Sequence, residues 1–267
     1  MDGHFERVTA ANGVVYYCCR ALPARHGFST RLGGVSTGAY AALNLGLSSG
    51  DAEANVMANR DRWREALGLA VAPHTVHQVH GAEVQVLTSA CREPAATRQA
   101  DALVTSQADR PIGVFTADCG PVLMAAPAGA AVAAVHAGWR GTLAGVAAEA
   151  VEALVREGRC DAGQLVAALG PMIRGCCFEV GEEVVEAFTS APWFTPAFVQ
   201  RREGARPHLD LPGLLRRQLA HAGLREDHIH DAGLCTMCQV EEFHSWRRDG
   251  AVSGRLQAVI VPSGDAA

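Results

Sequence analysis

No basic block occurs anywhere in the chain: its arginines are scattered and the formal net charge is −5. Duplex nucleic acid is held through clustered cations that neutralise phosphates, which argues against nucleic acid as a main partner. The opening residues MDGHFERVTAANG lack the basic start and apolar stretch of a secretory signal. A disulfide framework is also missing, because nine cysteines in 267 residues make an odd number without secreted-scaffold spacing. The adjacent pairs Cys18-Cys19 and Cys176-Cys177 would close on themselves only with strain, so free thiols in a reducing cytoplasm are expected. Charged residues amount to 19% against 49% apolar, a balance that excludes a disordered chain. Internal repeats, low-complexity tracts and linkers are absent, and one domain over residues 1–267 is expected.

One stretch, Cys119 to Trp139, carries no acidic or basic side chain except the imidazole of His136. Its length suits a membrane span. Gly120, Pro121, Pro127 and Gly129 interrupt it, however, and it reads as two buried strands joined by a turn at Pro127-Ala128-Gly129. Elsewhere an Asn12-Gly13 turn marks a hairpin before the strand VVYYC. HGFSTRLGGVSTGAYAALNLG, dense in Gly, Ser and Thr, reads as a long structured loop. Asp51 and Gly68 bracket a helix, and Thr142 is placed to cap another running to Gly158. Its apolar face is Leu143, Val146, Ala147, Ala150, Leu154 and Val155. ADALVT, GVFTAD, QLVAALG and RLQAVIVP read as strands, GEEVVEAF and LPGLLRRQLAHAG as helices. Many strands with helices between them predict an α/β or α+β domain.

Three segments join ligand-type side chains to apolar strands: HQVHG with His77 and His80, TADCGP with Asp118 and Cys119, and AVHAGWRG with His136. On a strand His77 and His80, three apart, point to opposite sides, so at most one reaches a given site. Cys119 and His136 lie at the ends of adjacent strands and can converge on one sheet edge. One histidine from each of two segments plus a thiolate makes three ligands, the number that a catalytic zinc uses while keeping its fourth position open. The same atoms also suit a cysteine hydrolase, with Cys119 as nucleophile, His136 as base and Asp118 or another acid as orienter. Participation of His80 separates the two; the plain alternative is that all are packed core residues.

Arg140 directly precedes the expected helix, whose free N–H groups and dipole favour an anion, and Gly138 and Gly141 let backbone approach a ligand. A phosphate or carboxylate fits there. Arg31 beside Gly33 and Gly34 offers a second, weaker anion nest. Cys235-Thr-Met-Cys238 is a CxxC with no second CxxC to partner it, and both cysteines are expected to be structural. A structural zinc normally has four protein ligands; only three stand out, which favours an enzyme over a docking module.

Seven blocks in order, HGFSTRLGGVSTGAYAALNLG, QVHGAEV, ADALVT, TADCGPVL, AVHAGWRGT, ALGPMIRGCCFEVGEEV and CTMC…FHSWRRDGAVSGR, resemble those of the YfiH-like family. Its members are called laccase-domain or polyphenol oxidase proteins and, alternatively, purine nucleoside phosphorylases. The resemblance runs from about His26 to Ile260. It implies an α/β/β/α layered fold and a mononuclear metal held by His80 in QVHG, Cys119 in TADCGP and His136 in HAGWRG. His77 lies outside the usual QVHG block and stays unassigned. Cys238 and His244 depart from the family pattern.

The activities implied conflict. One is phosphorolysis of adenosine, inosine and methylthioadenosine with adenosine deamination; others are amide cleavage on muramoyl-peptide precursors and copper-dependent polyphenol oxidation. A three-ligand zinc suits deamination or amide hydrolysis, and Arg140 suits phosphate. Copper competes for such a site, but reduction of oxygen to water by four electrons normally needs several coppers. The phosphorylase reading therefore ranks first, with zinc as the cofactor and a purine nucleoside and phosphate as the partners; the amidase ranks second and the laccase third.

Overall fold

The computed structural model describes residues 3–88 and 98–263. Cys91 lies outside the described residues. β1 (Phe5–Thr9) and β2 (Val15–Cys19) form the expected antiparallel hairpin, with Gly13 at φ 83 in the turn between them. β3 (Arg25–Ser29) and α1 (Glu53–Ala66) follow, the helix starting two residues after Asp51 and ending just short of Gly68. Then come β4 (Val84–Leu87), β5 (Ala102–Thr105) and β6 (Ile112–Thr116). The long uncharged stretch is two antiparallel strands, β7 (Gly120–Ala125) and β8 (Val132–Ala137), joined by a turn at Pro127–Gly129. Beyond it lie α2 (Trp139–Ala144), α3 (Val146–Gly158), β9 (Val166–Leu169) and α4 (Glu182–Phe188). A small hairpin of β10 (Val199–Gln200) and β11 (His208–Leu209) precedes α5 (Leu211–His221), β12 (Ile229–Asp231), α6 (Trp246–Asp249) and β13 (Leu256–Val261). Among the described residues no helix is long and apolar enough to cross a membrane.

Apart from the β10–β11 hairpin, the strands build two sheets. One, in the order β1-β2-β3-β13-β6, is antiparallel throughout; the other, in the order β12-β9-β7-β8-β5-β4, is antiparallel at its centre and parallel at both edges. The period-two alternation of strands sorts their side chains between two cores. Val122, Met124, Ala133 and Val135 pack under α3 and α5 with Ala147, Ala150, Leu154 and Leu215. Leu123, Ala125, Val132 and Ala134 face the other way, against Phe28, Val114 and Ala258 of the first sheet. That is why these strands read as continuous apolar runs: both of their faces are covered. A third cluster, with Trp63 of α1 and Leu67 just past its end against Val259 and Val261, covers the outer face of the first sheet. The layers are helix, sheet, sheet, helix, a mixed α/β fold.

One local expectation is corrected. Thr142 does not cap a helix; it sits inside α2, fully buried, and Gly145 at φ 94 breaks the segment into α2 and α3. Only glycine adopts that left-handed conformation without a Cβ clash, so the break falls at Gly145. The apolar face does behave as expected, with Val146, Ala147, Ala150 and Leu154 buried and Leu143 and Val155 packed against them.

A candidate metal centre and its cavity

β6 belongs to the first sheet and β7 to the second, so the chain changes layers within Ala117–Cys119. The change is made by Asp118 in the left-handed region, φ 84. For a side chain other than glycine this costs on the order of 1–3 kcal/mol and persists only where the surroundings enforce it. Here the carboxylate accepts hydrogen bonds from Thr236 Oγ1 at 2.6 Å, Ser245 Oγ at 3.0 Å and the Arg247 backbone N–H at 2.6 Å. Both carboxylate oxygens of Asp118 are thus engaged by these donors. The residue pins the segment from Thr236 to Arg247 beside the layer crossing.

The residue after it, Cys119, meets two imidazoles. The register pairs Pro121 with His136 and Gly120 with Ala137, which brings the ends of β7 and β8 together. His136 follows the alternation that sends Ala134 between the sheets, and it is 3% exposed. The Nδ1 of His136 is 2.7 Å from Oδ1 of Asp101, a carboxylate with no exposed surface. The same carboxylate accepts the successive backbone N–H groups of Val79 (3.2 Å), His80 (2.9 Å) and Gly81 (2.7 Å). That nest holds His80 at φ 62 and swings its ring toward His136, with ring centroids 4.8 Å apart.

The ligand atoms of His80, Cys119 and His136 all lie within 4.8 Å of one another. Burial opposes ionisation of the Cys119 thiol, but the His136 and His80 imidazoles outweigh it and bring the thiol down to about 6. Burial likewise opposes protonation of His136, while Cys119 and Asp101 raise it to about 9. Without an ion the pair is thus a thiolate facing an imidazolium at neutral pH; the thiolate is the form that ligates a metal, and an ion would displace the imidazolium proton. Gly138 leaves the space the cluster needs: a Cβ there would lie 2.9 Å from Cys119 Sγ and 3.1 Å from His80 Cδ2. Gly141 has a related use, since its Cβ would approach the Gly81 carbonyl oxygen to 3.0 Å. Both glycines thus make room for contacts within the chain.

The triad opens into a cavity of about 810 Å³. Four arginines, Arg60, Arg140, Arg247 and Arg255, line it, and Asp118 is its one acidic lining residue. Each guanidinium lies over an aromatic ring that also lines the cavity: Arg60 over Phe115 at 4.9 Å, Arg140 over Trp139 at 4.3 Å, Arg247 over Phe178 at 5.5 Å and Arg255 over Trp246 at 5.1 Å. The chain contains no lysine, so guanidinium is its one permanently cationic side chain. A protein of net charge −5 has thus gathered positive charge at one cavity.

The expected site residues fare differently. His80, Cys119 and His136 converge, and Arg140 reaches the same cavity from the first turn of α2 rather than from before it. His77 also lines the cavity, because its segment is not a strand but holds single bridges at His74 and His77 and turns left-handed at His80. Arg31 is not among the lining residues. Its Nε donates to the Ala41 carbonyl at 2.6 Å and its Nη1 to the Val240 carbonyl at 3.1 Å. Gly33 and Gly34 form no open nest beside it, since a Cβ on either would lie within 2.3 Å of the backbone at Gly13 or Ala42. Asp101, Arg60, Arg247 and Arg255 were not anticipated. Asp101 had one signal, an acid placed directly before the buried strand ALVT; the arginines had none.

Two imidazoles and a thiolate suit a divalent transition ion, and their ligand atoms lie close enough together to share one. The buried Asp101 behind His136 is the kind of carboxylate that orients a metal-binding imidazole. The residues fit such an ion.

A family model described as multi-copper polyphenol oxidoreductase laccase matches residues 25–263. The chain is similar to the purine nucleoside phosphorylase YfiH of Shigella flexneri, 41% identical over 233 residues that cover 87% of this chain and 91% of the relative. It is also similar to a purine nucleoside phosphorylase of Deinococcus radiodurans, 40% identical over 241 residues covering 90% and 89%. The solved structure of YlmD from Geobacillus stearothermophilus matches with a TM-score of 0.83 at 32% identity, covering 93% of this chain and 96% of that one.

Proposed function

We propose, from the premise that this chain belongs to the YfiH-like family of polyphenol oxidoreductase laccase domains, that it is a metal-dependent purine nucleoside phosphorylase. Its substrates would be adenosine, inosine or methylthioadenosine with phosphate, and its metal zinc. The observation that carries this reading is the cavity itself, where a His-Cys-His triad meets four arginines stacked on four aromatic rings. None of the four arginines forms an ion pair among the described residues. Arg60, Arg247 and Arg255 are held by backbone carbonyls without a counter-ion, and guanidinium groups so placed in a concave site favour an anion and bind phosphate in a planar, directional way. Aromatic faces accept a purine by stacking. A cavity of about 810 Å³ lies within the usual size for a small-molecule site.

In phosphorolysis a phosphate oxygen bonds to the anomeric carbon while the bond from that carbon to the purine nitrogen breaks, and the base leaves with a proton. Arg140, on the rim at the start of α2, is assigned to the phosphate. His80, Cys119 and His136 would hold the zinc, and Asp101 fixes the His136 ring by accepting from Nδ1. When bound, the ion supplies Lewis acidity and concentrated positive charge at the cavity wall. Two imidazoles and one thiolate suit zinc, with copper as the competing ion. The presence of His80 within the cluster favours a metal over a cysteine hydrolase built on Cys119 and His136 alone.

Deamination of adenosine is the second reading, favoured by a triad of three ligands whose remaining side faces the cavity. One experiment separates the readings: purified protein is incubated with adenosine, with and without phosphate, and the products are identified. Adenine and ribose 1-phosphate formed only with phosphate support phosphorolysis. Inosine formed equally in both supports deamination alone. No turnover of any of the three nucleosides, beside cleavage of a muramoyl-peptide amide or oxidation of a phenol, overturns the proposal.

A further inference from the structure

The CxxC at Cys235 and Cys238 has no second CxxC in the sequence, but the fold supplies a partner. Cys176 and Cys177, far upstream, sit against it, and the four sulfurs all lie within 4.8 Å of one another. Cys176 Sγ is 3.5 Å and Cys177 Sγ 3.3 Å from Cys238 Sγ, and all four are free thiols. A tetrahedral zinc with four sulfurs at about 2.3 Å has sulfur–sulfur edges of about 3.8 Å, which is the scale of this cluster.

The backbone is shaped for it on both sides. The Gln239 N–H donates to the Cys235 carbonyl at 3.1 Å, closing a turn over the CxxC. The N–H groups of Cys177 and Phe178 both donate to the Arg174 carbonyl at 2.8 Å, closing the facing turn. A parallel bridge between Met172 and Cys235 sets one turn against the other. The Arg174 guanidinium is held in a two-pronged ion pair with Asp231 at 2.8 and 2.9 Å, which fixes the turn that carries Cys176 and Cys177.

We propose that Cys176, Cys177, Cys235 and Cys238 form a closed tetrathiolate site for a zinc ion, separate from the triad. Four protein ligands leave no open position, so this ion is structural. It ties the segment Met172–Phe178 to Leu234–Gln239. The second of these delivers Thr236 to Asp118 beside Cys119, and the first delivers Phe178 to the cavity wall. The site therefore holds two cavity-forming segments in place without touching substrate.

The test is the metal content of protein purified under reducing conditions, together with sulfur-sensitive X-ray absorption at the zinc edge. The wild type is expected to carry two zinc ions per chain. The His80→Ala/His136→Ala variant should retain one, coordinated by four sulfurs at about 2.3 Å, and a strong chelator should lower its melting midpoint by on the order of 10 °C. The Cys235→Ser/Cys238→Ser variant should lose one ion and keep the other. If the latter variant does not fold, the histidine variant still decides the matter. No zinc in that variant, zinc bound by fewer than four sulfurs, or an intact mass showing the four cysteines oxidised in pairs would overturn the proposal. Because these readouts do not involve turnover, they stand apart from any failure of the phosphorylase reading.

Discussion

Asp101 and His136 meet at 2.7 Å through Oδ1 and Nδ1, and the same carboxylate gathers the backbone N–H groups on either side of His80. One buried acid therefore sets both imidazoles of the triad: it fixes the ring of the first by its outer nitrogen and the backbone of the second by its amide. The remaining Nε2 of His136 is left for a ligand, which is how a carboxylate behind a metal-binding histidine acts.

Asp101→Asn keeps the shape of the side chain but removes the charge that four donors share. Zinc affinity of the triad is expected to fall by roughly 10–100-fold, measured by competition with a chromophoric chelator. Unchanged affinity would remove Asp101 from this role.

Gly138→Ala is a sharper probe than any change to a ligand. Gly138 has φ −74, so alanine is acceptable to the backbone, yet its methyl would meet Cys119 Sγ and His80 Cδ2 at about 3 Å. The folded protein is expected to persist while triad metal and activity fall by at least about 100-fold, as a 1 Å misplacement can cause. Circular dichroism together with zinc analysis checks this; a variant that keeps the triad zinc would contradict the geometry.

Arg140 and Arg31 should behave oppositely. Removing Arg140 is expected to raise the Michaelis constant for phosphate by roughly 10–100-fold, the worth of a charge-assisted hydrogen bond. Arg31→Ala should leave that constant unchanged and instead lower the urea midpoint, because its guanidinium holds the Ala41 and Val240 carbonyls. Equal effects of the two substitutions on phosphate would show that the cavity has been drawn wrongly.

Acid should destabilise the fold through two buried histidines. Burial pushes His26 below its ordinary value, and burial followed by the charge of Arg31 lowers His244 to about 3. In the unfolded chain both titrate near 6.5. Below about pH 6.5 the unfolded chain therefore binds more protons than the folded one. The stability contributed by the neutral rings is complete above that pH and is lost as the pH falls toward the folded values. Each histidine adds a slope of up to about 1.4 kcal/mol per pH unit. Neither ring nitrogen of His244 has a hydrogen-bond partner among the described residues, so His244→Phe removes no bond. Urea midpoints at pH 7.5 and 5.5 should diverge less in this variant than in the wild type. Parallel slopes would acquit His244.

How much was legible beforehand follows from the range of each signal. The α/β class, the two strands of the uncharged stretch and the helix around Trp63 announce themselves by alternation, turn residues and apolar runs within about twenty positions, whereas the layering was implied only by the resemblance. His80, Cys119 and His136 stood out because each is a ligand-type side chain at the end of such a run, and the pairing of β7 with β8 needs only a short turn. The failures have one pattern as well. Alternation was extended through His77 and His80, where the segment is not a strand and turns left-handed at φ 62, and a cap was read at Thr142 where Gly145 breaks the helix. Arg31 was read from adjacent glycines that in fact make room for neighbouring backbone.

Local side-chain chemistry and periodicity thus determined which residues could bind a metal and which strands would be buried. Tertiary structure alone decided that Asp101 stands behind His136, that arginines from positions 60, 140, 247 and 255 share one cavity, and that Cys176 and Cys177 complete the cluster begun by Cys235 and Cys238. These groups meet through the packing of two sheets and the layer change at Asp118, and contact across such distances is set by register and burial, which no local spacing in the chain encodes.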